Sequence, residues 1–117
     1  MITFKTLEIS DIDIITVMME DFYAIDNYPI EAQATKKMFQ VFISNENFGK
    51  AWLIYADNKI AGYVILTYIF SFEYGGKIAF VDELFIKQSA RGKGIGKETI
   101  QFVQQESPKL SLKLLYL

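Results

Sequence analysis

Hydrophobic and polar residues alternate at the start of the chain. Ile2 and Phe4 fall on one side and Thr3 and Lys5 on the other, which predicts a short strand over 2–7. Apolar positions then move to helical spacing at Ile14, Ile15, Met18, Met19 and Phe22, of which Met18, Met19 and Phe22 read as core. Ser10 stands where this helix needs an N-cap, with Asp13 at its third position. Asn27-Tyr28-Pro29 interrupts the pattern. Pro29 suits the first turn of a second helix, which runs through Met38, Phe39 and Phe42 to about Asn45.

After Asn47 the period becomes that of strands. One covers 51–55, Asp57-Asn58 makes a tight turn, and a long strand covers 60–72 with Gly62 suited to a bulge. Trp52 reads as core. Glu73-Tyr74-Gly75-Gly76 turns the chain into a third strand over 77–86. A glycine-containing polar loop leads to a helix over 94–106, which Ser107-Pro108 ends, and a last strand begins at Leu110. The order β-α-α-β-β-β-α-β predicts one α/β domain of the α+β type over residues 1–117, with a mostly antiparallel sheet and flanking helices. The chain stops inside the last strand, so the expected domain lacks its final helix and strands.

Composition narrows the chemistry. A hydrophobic fraction of 51% and an aromatic fraction of 15% exclude a disordered chain. No apolar run reaches the roughly 18 residues of a membrane span, and acids come early after Met1, so the expectation is a soluble, cytoplasmic protein with no membrane partner. With 12 basic and 14 acidic residues the net charge is −2, which gives no pull toward nucleic acid. The chain has no Cys and no His. That removes disulfides, Cys/His metal sites, a thiol nucleophile and a histidine base, and no metal is expected.

The segment Phe80-Val-Asp-Glu-Leu-Phe-Ile-Lys-Gln-Ser-Ala-Arg-Gly-Lys-Gly-Ile-Gly-Lys carries the strongest signal. A strand enters a loop with glycines at 92, 94 and 96, and a helix begins within it. Glycines let the backbone approach a ligand, and the first helical N–H groups lack intrahelical partners at the positive end of the helix dipole. Together they suit a pyrophosphate, with Arg91, Lys93 and Lys97 as added cations. A Gly-x-x-x-x-Gly-Lys-Ser/Thr loop fails, because Arg91 and Glu98 stand at its two ends. A Gly-x-Gly-x-x-Gly fingerprint fails as well, because Lys97 or Thr99 takes the place of its third glycine.

Arg91-x-x-Gly94-x-Gly96, after Val-Asp-Glu-Leu-Phe-Ile, resembles motif A of the GNAT superfamily of N-acetyltransferases, and the order of elements matches that family over most of the chain. The resemblance implies a splayed sheet with acetyl-CoA as co-substrate beside the fourth strand. It implies that the backbone of Leu84, Phe85 and Ile86 pairs with the pantetheine arm. The peptide groups of Arg91, Gly92, Lys93, Gly94, Ile95, Gly96 and Lys97 would hold the pyrophosphate. The implied activity is transfer of acetyl to a primary amine of a small molecule or peptide in a ternary complex. The alternative is an acyl-CoA-binding module, impaired in catalysis by truncation, that completes its sheet in a homodimer.

An amine nucleophile must lose a proton, since its pKa in water is about 10. Without histidine, Asp82 and Glu83 are the candidate bases, as adjacent acids in an otherwise apolar strand. Strand alternation sends them to opposite faces, and the resemblance favours Glu83. The plainer reading of either acid is an ion pair or an exposed sheet face. Tyr68, Phe70 and Phe72 share one face and read first as core, with the acceptor pocket as the alternative. In GNAT enzymes a tyrosine after the fifth strand often serves as general acid. Tyr116 does not match that place.

Overall fold

The strand-forming segments pair in the order in which they occur. In the computed structural model, which describes residues 1–117, β1 (Ile2–Thr6), β2 (Gly49–Ala56), β3 (Lys59–Ser71), β4 (Gly76–Ile86) and β5 (Leu114–Tyr116) form one sheet in that order. The pairs from β1 to β4 are antiparallel, and β5 lies parallel to β4. Three helices complete the chain, α1 (Ile12–Ala24), α2 (Ala32–Ser44) and α3 (Ile95–Glu106). This is the mixed, mostly antiparallel α/β order that the periodicity predicts.

Short turns make the meander. Asp57 and Asn58 both take positive φ, 51° and 66°, which the two-residue β2–β3 turn requires and which Asp and Asn tolerate. Alternation along the strands then feeds two layers. Ala51, Leu53, Tyr63, Ile65 and Phe85 pack on Ile15, Met18 and Met19 of α1 and Phe39 of α2. Trp52, Val64, Leu66 and Ala79 point the other way, onto Val103 of α3. With both faces covered, β3 is buried without a break from Ala61 to Leu66, and its sequence is correspondingly apolar throughout.

Four local expectations change. The chain enters α1 through a 3₁₀ turn at Ile9–Asp11, so the fastening group lies two residues before Asp13. Asp11, not Ser10, does this: its buried carboxylate accepts the Glu8 N–H at 3.0 Å and Lys5 Nζ at 2.5 Å. α2 opens at Ala32 because the Glu31 side chain accepts the Ala34 N–H at 2.6 Å, leaving Pro29 in the connector. The final strand is short, since residues 107–113 turn before β5 begins. Phe70 and Phe72 are 65% and 94% exposed, because β3 runs past the end of β2 at Thr67. They are neither core nor pocket.

Candidate active site

β5, three residues long, pairs with Ile78, Ala79 and Phe80 of β4. Just beyond these residues β4 carries a bulge. Leu66 pairs with Val81 and Ile65 with Glu83, leaving Asp82 as an extra residue. Such an insertion bends a strand and increases its twist. Along the outer edge from Leu84 to Lys87 the peptide groups alternate. The Lys87 N–H bonds the Ala61 carbonyl at 2.7 Å, and Phe85 pairs with Tyr63, so both face β3. Leu84 and Ile86 therefore turn theirs outward. Accordingly, the Ile86 carbonyl accepts Arg91 Nε at 2.9 Å. Of the three residues expected along this edge, Phe85 is the exception, with its backbone toward β3 and its side chain in the core.

The loop after β4 leaves a row of donors. No peptide N–H from Gly92 to Lys97 has an acceptor within the chain, and the first internal bond runs from Glu98 N–H to the Gly94 carbonyl at 3.1 Å. The cause lies in Gly94, which occupies the N-cap of α3 with φ 76°. Ser, Asp or Asn at that place would satisfy one of these donors; glycine satisfies none. A Cβ added at Gly92, Gly94 or Gly96 would meet nothing within 4 Å, so these glycines relieve no crowding inside the protein. They keep the outer surface bare. Ile95, 2% exposed, anchors the tip of the helix beneath them. Arg91 stands outside the row, because its N–H bonds the Gln88 carbonyl at 3.3 Å. Lys93 and Lys97 are exposed and make no ion pair, which leaves their charge available.

Asp82 and Glu83 lie toward the other layer. Because the bulge absorbs one step of the alternation, they share one side and line the same cavity of about 210 Å³ with Met19, Phe39 and Thr67. An adjoining opening of about 520 Å³ adds Phe22, Asp26 and Tyr28, and Tyr23 belongs to both. No Lys or Arg lines either space, and neither acid has an ion-pair partner. Tyr63 Oη donates to Glu83 Oε1 at 2.8 Å, and Tyr23 Oη to Oε2 at 2.5 Å. Burial and the Glu83 carboxylate hold the Tyr63 phenol well above its ordinary pKa. The same carboxylate, and then burial, raises that of Tyr23. Both phenols stay protonated donors at neutral pH. Sequence reasoning missed this pair. Their one signal was a tyrosine in each of two apolar runs, since a buried phenol needs a partner for its O–H.

The family model described as the acetyltransferase (GNAT) family matches residues 13–117. The chain belongs to the GNAT acetyltransferase family. Among solved structures, the integron cassette protein HFX_CASS3 from the mobile metagenome of Cole Harbour Salt Marsh is similar, with 33% identity and a TM-score of 0.91; the match covers 97% of this chain and 74% of that one. A possible acetyltransferase from Clostridium difficile 630 has the same fold, with a TM-score of 0.87, 16% identity, and 99% and 78% of the two chains covered. A predicted acetyltransferase from Clostridium acetobutylicum, solved with acetyl-CoA, has a TM-score of 0.80 at 12% identity, covering 98% and 79%. Comparison with curated proteins gives no match. The GNAT family carries out acyl transfer, uses acetyl-CoA and acts on amine acceptors. No helix of this GNAT chain is long and apolar enough to cross a membrane.

Proposed function

We propose that this GNAT chain moves acetyl from acetyl-CoA directly to a cationic primary amine in a ternary complex. The carrying observation is the unpaired N–H row from Gly92 to Lys97 at the tip of α3. Such a row, with the helix dipole behind it and Lys93 and Lys97 beside it, suits a pyrophosphate. The outward peptide groups of Leu84 and Ile86 suit an extended amide-bearing arm, with Arg91 giving up the Ile86 carbonyl. Acetyl-CoA supplies the electrophilic thioester carbonyl. On the other layer, the acids lining the cavity draw in an ammonium group. Glu83 takes one proton so that the free amine can attack, the C–N bond forms as the C–S bond breaks, and the second proton that the nitrogen sheds neutralises the departing thiolate, so coenzyme A leaves as its thiol. The absence of cysteine supports transfer without an acyl-thioenzyme.

Thermal unfolding with and without acetyl-CoA tests the donor row. A ligand at about 100 times its Kd adds about 2.7 kcal/mol of stability. Gly96→Asp makes the control, because Gly96 has ordinary φ and open space around it. An acid in the first helical turn favours the helix by about 0.3–1 kcal/mol, so the variant folds while repelling a diphosphate. Wild type without a shift, or the variant with a full one, would refute the site. Amine-dependent release of coenzyme A thiol tests transfer, and an amine panel of diamines, amino acids and lysyl peptides defines the acceptor.

A further inference from the structure

From the hydrogen bonds on Glu83 we infer that Tyr63 and Tyr23 are positioning residues, which aim the Glu83 carboxylate into the acceptor cavity while leaving it its charge. This rests on the reading of Glu83 as the base. A glutamate side chain on a half-open strand edge has several rotamers, and a base must lie within hydrogen-bond reach of the proton that it takes. Here each carboxylate oxygen is held by a different element, Oε1 by Tyr63 of β3 and Oε2 by Tyr23 of α1. Both phenols are themselves fixed. Tyr63 is fully buried, with its ring tilted on Phe85 at 5.7 Å, and the ring of Tyr23 meets Phe22 and Tyr28 edge-on at 5.9 and 5.8 Å.

The chemistry of the holders matters as much as their placement. A lysine or arginine at either place would pair with the carboxylate and offset its charge. A phenol donates a hydrogen bond and stays neutral. An ionised carboxylate has about four lone-pair sites. Two phenols use two of them, and the rest face a cavity whose remaining titratable lining is Asp82, with Asp26 and Tyr28 at the adjoining opening. Thr35 of α2 and Thr67 of β3 add no charge there. The arrangement thus fixes a direction without consuming the group that it fixes.

Tyr63→Phe and Tyr23→Phe remove one oxygen each and keep the ring packing. Coenzyme A release is followed with acetyl-CoA and 1,4-diaminobutane as the probe acceptor, using a thiol dye that finds no cysteine in the chain. The expected result is a fall in kcat of about tenfold for each variant, with the amine KM within about twofold, since misplacing a reacting group acts on the chemical step. Neither substitution has further effect in a Glu83→Gln background. The ¹³C chemical shift of the labelled Glu83 carboxyl at fixed pH changes with the lost hydrogen bond, needs no acceptor, and decides the matter if the diamine is not turned over. Should Tyr63→Phe fail to fold, Tyr23→Phe at the end of α1 carries the test. Wild-type kcat and an unchanged carboxyl ¹³C shift in the Phe variants, with Glu83→Gln inactive, would overturn the positioning role alone. Full activity in Glu83→Gln would remove the base itself.

Discussion

At the scale of single residues the decisive contacts are few, and most of them lead to Glu83. Tyr63 and Tyr23 both have phenol pKa values above the ordinary 10.0 in the folded state. The unfolded chain ionises first, so the stability that these phenols contribute is whole below about pH 10 and declines as the pH rises further. Denaturant unfolding followed by fluorescence of Trp52, which is 2% exposed, should show this decline between about pH 10 and 11. Tyr63→Phe and Tyr23→Phe should each flatten it. Glycine spacing at 92, 94 and 96 was legible in the sequence, because its physics is local: an uncapped helix tip needs no distant partner. The tyrosines were not. Tyr63 and Glu83 are 20 positions apart and Tyr23 and Glu83 are 60 apart, so pairing them takes the sheet register and the docking of α1.

Elements show the same division between local and distant causes. Strand and helix order followed from periodicity, yet the caps moved, because a 3₁₀ turn before α1 shifts the fastening to Asp11 and Glu31 offers α2 an acceptor. Asp11→Ala should cost about 1–2 kcal/mol in the same denaturation experiment, from the lost bond to the Glu8 N–H and the loss of one of the two carboxylates on Lys5. The bulge in β4 was the larger omission, since alternation alone sends Asp82 and Glu83 to opposite faces. Deleting Asp82 tests its purpose. Val81 and Glu83 would then pair with Leu66 and Ile65 in unbroken alternation, so the fold should persist. With the extra residue gone, Glu83 alone keeps its place in the cavity, so the amine KM should rise while the stabilisation by acetyl-CoA in thermal unfolding stays.

For the molecule as a whole, burial is concentrated in the two layers and lapses at the β3–β4 tip. Leu53, fully buried beneath α1 and α2, should cost about 2–5 kcal/mol as alanine. Phe72, 94% exposed, should change stability by less than about 0.5 kcal/mol as serine, while solubility improves. The two layers also divide the candidate site. The bare donors stand at the helix tip of one layer, the carboxylates look into the other, and the sheet lies between them. Donor and acceptor would thus arrive through separate doors, neither barring the other, and either could bind first. Initial-rate plots would then intersect rather than run parallel. A molecule that joined an amine to the coenzyme's sulfur by a short tether would fill both sites at once and hold on more tightly than its two halves apart.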